Sequence, residues 1–240
     1  MEKEKKKMST KKKVILGIII AVIAAILIGV AAFWVQFFPS PFAKKVSPNE
    51  ISTGAISMTG DSDTLVAYFS LAVNREYTSQ EVDAVSSASL KIKDGNAYGH
   101  AEWYAIEASE TADADLFPIL VKEKYPESYS GAFAKHREES AENARPELIT
   151  HVENMEAYQT VILIYPNWLS GTPHAVQSFL EEYDFSGKTI VPIATSQALG
   201  LGSSPEQIAA LCPDATVAEG LSVKSSENLR EFLTENGYAQ

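Results

Sequence analysis

The chain has 240 residues and a formal net charge of −11, with 20 Lys and Arg against 31 Asp and Glu. That balance argues against a nucleic-acid partner, whose phosphates need basic side chains to neutralise them. The single cysteine, Cys212, excludes an intrachain disulfide and a thiolate metal cluster.

Lysines crowd the start: residues 1–13 hold seven Lys and two Glu and read as a basic cytoplasmic tail. Val14–Val35 carries no charge. As a helix it would rise about 33 Å, enough to cross a hydrocarbon core of about 30 Å. Residues 14–38 are therefore expected to form one transmembrane helix. The alternative is a cleaved signal sequence cut at Ala31 or Ala32, but its apolar region would be short, about 7–15 residues. With the lysines held inside, the remainder is expected on the extracytoplasmic side of the cell membrane. Residues 39–62 are rich in Ser, Pro, Thr and Gly without periodicity and read as a flexible linker. That leaves 63–240 as one domain, acidic enough to suit steering toward basic partners or solubility alone.

Within the domain, short apolar runs alternate with helical patterns. The runs are Thr64–Ser70, Leu116–Val121, Thr160–Pro166, Thr189–Ala194 and Thr216–Val223. Near-continuous apolar strands are expected where both faces of a parallel sheet are covered. Between them, Ala101, Tyr104, Ala105 and Ala108 share one helical face, and a less regular helix is expected over Phe133–Asn143. Thr172 can N-cap a third helix, with Pro173 in its first turn and Val176, Phe179, Leu180 and Tyr183 as its apolar stripe. Ser204-Pro205-Glu206-Gln207 has capping-box spacing, and Pro213 stops that helix. Leu229, Phe232 and Leu233 line the last one, closed by Gly237. The alternation implies right-handed crossovers and a doubly wound α/β domain. Pro192 is out of place in the fourth strand.

In such sheets ligands bind beyond the carboxyl ends of the strands, at the switch point where strand order reverses. Three segments are expected there. The first is Ser70 with Gly95-Asn96-Ala97, read as a strand-end hydroxyl and the start of the first helix, where N–H groups and the helix dipole hold a phosphate. No Lys or Arg stands at either end of that loop, which points to a single terminal phosphate, as on FMN. The second is Tyr165-Pro166-Asn167-Trp168-Leu169-Ser170-Gly171-Thr172, where Trp168 can stack on a planar ring or, alternatively, pack against the helix that follows. The third is Thr195-Ser196-Gln197-Ala198-Leu199-Gly200-Leu201-Gly202, whose backbone can approach a ring edge. The four histidines form no close metal pair, and no metal site is expected. His174 is either a proton donor near the ring or a first-turn side chain.

Ala144-Arg145-Pro146-Glu147-Leu148, Tyr165-Pro166-Asn167-Trp168, the run from Phe179 to Thr189 and Gly200-Leu201-Gly202-Ser203-Ser204 resemble the flavodoxin family. The resemblance implies FMN, a five-stranded parallel sheet of order 2-1-3-4-5, and electron transfer or flavin-dependent reduction. The family's phosphate pattern, S/T-x-T-G-N-T, is met by Ser70 and, after an insertion, by Gly95-Asn96-Ala97. Ala97 lacks the usual hydroxyl, and Gln197-Ala198 replaces glycines. Within the insertion, Asp83-Ala84-Val85-Ser86-Ser87-Ala88-Ser89 is similar to the D-x-x-S/T-G-A-T/S signature of covalent FMN attachment, which would place a phosphoester at Ser89; a chance match in a polar loop is the alternative. The expected function is a membrane-anchored FMN-binding redox protein acting in electron transfer with a partner protein or a small-molecule electron acceptor, with no side chain singled out as catalytic. The alternatives are an NAD(P)H-dependent quinone or nitro-compound reductase and a cofactor-free surface binding module.

Overall fold

The computed structural model describes residues 45–77, 82–83, 90–196 and 199–240. The anchor expected over 14–38 lies outside them. Among the described residues no helix is long and apolar enough to cross a membrane. The strands are β1 (Lys45–Val46), β2 (Thr64–Tyr68), β3 (Val82–Asp83), β4 (Leu90–Lys93), β5 (Asn96–Gly99), β6 (Asp115–Pro118), β7 (Thr160–Pro166), β8 (Thr189–Thr195), β9 (Thr216–Val217) and β10 (Leu221–Val223). The helices are α1 (His100–Ala112), α2 (Tyr129–Glu142), α3 (His174–Glu182), α4 (Ser204–Leu211) and α5 (Ser226–Glu235).

The central sheet is parallel, in the order β10-β8-β7-β2-β6, with β9 also paired to β8. The expected five strands become six because the edge strand breaks between Val217 and Leu221, and Pro192 accounts for the break. Ile190 accepts the Ala218 N–H at 2.9 Å. Groups two residues apart on a strand point to the same edge, so Pro192 also turns toward the β9–β10 side. Proline has no N–H to give there, and pairing lapses beside it. Gly220 passes so close that a Cβ on it would stand 2.5 Å from the Pro192 carbonyl oxygen.

Alternation along β2 sorts the core into two layers. Leu65, Ala67 and Phe69 join Val176, Phe179, Leu180 and Ile208 on the face covered by α3 and α4. Val66 and Tyr68 join Ala101, Ala105, Ala108 and Ala112 of α1 and Leu229 and Leu233 of α5 on the other. The small alanine face of α1 leaves room for the fully buried Tyr68 ring.

The reading of 39–62 as a flexible linker is corrected for its described part, which is bound to the domain. β1 pairs antiparallel with β3, Ile51 bridges Ala97, and Ser57 bridges Leu116. Two buried carboxylates explain the path. Glu102, fully buried, accepts from the Ser52 hydroxyl, the Ala55 N–H at 3.0 Å and the Gly99 N–H at 3.1 Å. Asp115, 1% exposed, accepts from the Thr59 N–H and hydroxyl at 2.7 and 2.8 Å, the Gly60 N–H at 3.1 Å and the Tyr158 hydroxyl at 2.7 Å. Burial alone would raise the Asp115 carboxyl, but these hydrogen bonds together hold it below its ordinary value.

Asp115→Ala strands several donors at once and is expected to cost about 3 kcal/mol. Urea unfolding measures that loss, and limited proteolysis should show new cleavage between residues 52 and 62.

Candidate functional site

The first expected segment is reshaped. Gly95-Asn96-Ala97 does not open a helix: Asp94 and Gly95, at φ 51° and 83°, turn a β4–β5 hairpin, and Asn96 and Ala97 lie in β5. Positive φ at both central residues is what a two-residue hairpin of this twist requires. Ala97 is buried with Ala72 and Leu90, which answers the missing hydroxyl with a packing role. The helix starts instead at His100. Gly99, its N-cap, lies against Ser70, where a Cβ would overlap the Ser70 Oγ. Ser70 is thus brought to a helix N-terminus, five residues beyond the expected one.

The hairpin also brings in cations that sequence reasoning missed. Lys91 and Lys93 place their Nζ atoms 4.1 and 4.6 Å from the ring centroid of Trp103, in the first turn of α1. Asp-Gly between alternating apolar and polar residues was the signal that could have found them. Opposed to these lysines, Glu102 stands in the same helical turn.

The second and third segments are stapled together. Asn167 takes the Thr195 carbonyl through its N–H at 3.0 Å and the Gly200 carbonyl through Nδ2 at 2.7 Å. Its Oδ1 is buried with no partner among the described residues. Trp168 and Gly171 exchange both backbone hydrogen bonds at 3.0 Å around Leu169 and Ser170, which hold φ of 49° and 71°. Positive φ at a leucine is strained, on the order of 1–3 kcal/mol. The neighbouring loop supports it: the Ser203 N–H and hydroxyl both donate to the Ser170 carbonyl, at 2.6 and 2.8 Å. Gln207 adds a tie, its Oε1 accepting from Thr172 N–H and hydroxyl at 2.9 and 3.0 Å. Thr172 therefore does not cap α3; that place falls to Pro173. Ser196 accepts the Leu199 N–H at 2.9 Å and shapes the turn. Gln197, Ala198 and the candidate attachment residue Ser89 lie outside the described residues.

Trp168 is half-buried, packed against the core cluster on the α3–α4 face of the sheet. Its ring is edge-on to Phe69, Tyr125 and His136, at centroid distances of 5.4, 5.3 and 5.0 Å. Since Phe69 precedes Ser70, this cluster ties the loop after β2 to the loop after β7. Asn74 adds a second tie, donating to the Ser70 and Ile119 carbonyls at 3.0 and 2.9 Å and accepting the Val121 N–H at 2.8 Å. His174 is buried, with Nδ1 3.1 Å from the Ala144 carbonyl and Nε2 3.2 Å from Ser140 Oγ. A carbonyl only accepts, so the neutral ring carries its proton on Nδ1. Cys212 is buried, which pushes its thiol up to about 11 and leaves it unreactive.

The family model for flavodoxin matches residues 95–236, and the chain belongs to the flavodoxin family. The fold is α/β and flavodoxin-like. A crystal structure of a candidate flavoprotein from Bacteroides eggerthii superposes with a TM-score of 0.55 at 24% identity, covering 72% of this chain and 96% of that one. A second, from Bacteroides uniformis, gives 0.54 at 22% identity, with 71% and 97% covered. A flavoprotein of Lactobacillus acidophilus solved in complex with FMN is more distant, at 0.48 and 14% identity over 66% and 91%, and its ligand is a property of that protein. A search of curated proteins finds no match.

Two outcomes test this geometry. Gly202 has φ 58°, and a Cβ there would collide with the Ser170 carbonyl. Gly202→Ala should therefore lower stability by about 2 kcal/mol in denaturant unfolding. Burial, then the adjacent His174, lowers His136 from its ordinary value to about 4. Between about pH 6.5 and 4 the unfolded chain then binds more protons than the native one, so stability is full above the upper value and falls as the pH drops. Melting temperatures over that range should decline less steeply for His136→Gln than for the natural chain.

Proposed function

We propose that this protein binds FMN at the rim built by Ser70, the α1 start and the two stapled loops, and acts as a redox protein in electron transfer. The observation that carries the reading is the Ser70–Gly99 contact, which sets a strand-end hydroxyl against a helix N-terminus at the same carboxyl end of the parallel strands as the Asn167 staple. Ser70 and the N–H groups of His100 and Ala101 would hold the phosphate, assisted by Lys91 and Lys93. Pro166, Asn167, Thr195, Ser196, Gly200 and Gly202 would border the ring. Bound there, the flavin supplies the electron chemistry; the chain binds and orients it. Membrane attachment through residues 14–38, with the domain on the extracytoplasmic side, belongs to the same proposal and rests on the lysines before that segment. A redox partner protein or a small-molecule acceptor would complete the circuit.

One observation favours a second reading, a binding module that keeps the fold without the cofactor: Glu102 places a carboxylate in the helical turn where the phosphate would sit. Absorbance of the freshly purified chain, followed by titration with FMN, separates the two. A flavin spectrum or saturable uptake, weakened about tenfold by Ser70→Ala through loss of one charge-assisted hydrogen bond, supports the first. A colourless protein whose melting temperature is unmoved by excess FMN supports the second.

A further inference from the structure

Indole and phenol rings give up a single electron more readily than the other aromatic side chains. Among the described residues two such pairs touch: Trp103 with Tyr98, at a centroid distance of 5.7 Å, and Trp168 with Tyr125, at 5.3 Å. Charge separates them. Lys91 and Lys93 stand over the Trp103 ring, where a cation opposes the loss of an electron. No cation stands over Trp168 among the described residues, and the adjacent His136 is held neutral by burial. Trp168 is half-buried and lines a cavity of about 400 Å³ between α2, α3 and α4, so a small solute reaches its indole. Tyr125 has no exposed surface.

The buried phenol has a proton acceptor. Tyr125 donates its hydroxyl to Glu139 Oε2 at 3.1 Å, and Glu139 Oε1 has no partner among the described residues. Burial raises that carboxyl above its ordinary value, which makes its ionised form a stronger base. Two other buried tyrosines lack this arrangement. Tyr165 donates to the Ser204 hydroxyl, which is no base. Tyr158 donates to Asp115, whose shared hydrogen bonds hold it below its ordinary value. Lys135 Nζ lies 5.2 Å from the Tyr125 ring centroid, and its partner Glu123 is solvent-exposed. That cation opposes a positively charged phenol, so an electron leaves Tyr125 together with the hydroxyl proton.

We propose that Trp168, Tyr125 and Glu139 form a one-electron discharge path that carries an oxidising equivalent from the rim into the core. A small one-electron oxidant, of the peroxyl-radical class, takes an electron from the Trp168 indole and is reduced to its anion, leaving the indole radical cation. Tyr125 then gives an electron to the indole and its hydroxyl proton to the Glu139 carboxylate. The products are a restored indole, a neutral tyrosyl radical and a protonated carboxyl. A one-electron reductant such as ascorbate returns the electron, and Glu139 returns the proton. The path stands whether or not the chain binds FMN.

Flash oxidation of the full chain tests it, with a ruthenium(III) polypyridyl complex generated by light as the oxidant. Transient absorption and electron paramagnetic resonance read the indole and tyrosyl radicals. In the natural chain an indole radical should decay as a long-lived tyrosyl radical grows in. Tyr125→Phe should abolish that long-lived signal, and Trp168→Phe should at least halve its yield. Glu139→Gln keeps an acceptor oxygen but takes no proton, and should slow tyrosyl formation at least tenfold. Melting temperatures check that each variant keeps the fold. The proposal is overturned if the long-lived signal survives Tyr125→Phe, if Trp168→Phe leaves its yield unchanged, or if Glu139→Gln forms it at the natural rate. FMN uptake, read by absorbance in the same variants, reports separately on the flavin rim.

Discussion

Two carboxylates inside the protein, Glu102 and Asp115, govern the path of residues 52–60 ahead of β2. A buried charge is tolerated only when its hydrogen-bonding capacity is met. Ser52, Ala55, Thr59 and Gly60 meet it, drawing a Ser- and Gly-rich segment across the outer edge of the sheet. The same contacts fix the beginning of α1, because Glu102 also holds the Gly99 N–H. Position Gly99 and the Ser70 hydroxyl follows. The candidate rim therefore depends on residues that, by composition, look like spacer.

A second constraint acts on the other side of that rim. The turn through Leu169 and Ser170 is strained and would relax if left alone. It persists because Ser203 from the loop after β8, Gln207 from α4 and the Asn167 tie to Gly200 over-determine it. Strain of this kind, held by neighbours, marks a place where backbone geometry matters more than local stability. Packing carries the constraint inward: Trp168 lies among Phe69, Tyr125 and His136, so the loops after β2, β6 and β7 and helix α2 meet through one ring.

Much of the fold was legible from periodicity. β7 coincides with the apolar run Thr160–Pro166, and the alanine face of α1 and the stripes of α3 and α5 follow their spacing. What failed was context. Gly95-Asn96-Ala97 reads as a helix start because an apolar helical face follows it, whereas Asp94-Gly95 between alternating residues specifies a hairpin first, and the helix begins only after it. Residues 45–62 carry no periodic signal because they serve as donors to distant carboxylates, and such pairing leaves no trace in the segment itself. Pro192 breaks the rule for a single strand but fits the sheet, because its missing N–H falls opposite the gap between β9 and β10.

The electrostatics of the α1 start bear most directly on function. Helix N–H groups favour an anion by about 0.3–1 kcal/mol at an exposed site, and more when partly buried. Glu102 opposes this, but three donors already share its charge, which blunts its reach. Lys91 and Lys93 act the other way, although both sit near solvent, where an effective dielectric constant of about 20 or more weakens each. Two partly screened cations and a helix terminus against one satisfied carboxylate leave the balance on the side of an anion. Because both lysines belong to the β4–β5 hairpin, that balance is set by the insertion. A chain in which α1 followed β2 directly would present the same Ser70 and the same helix start without its cations.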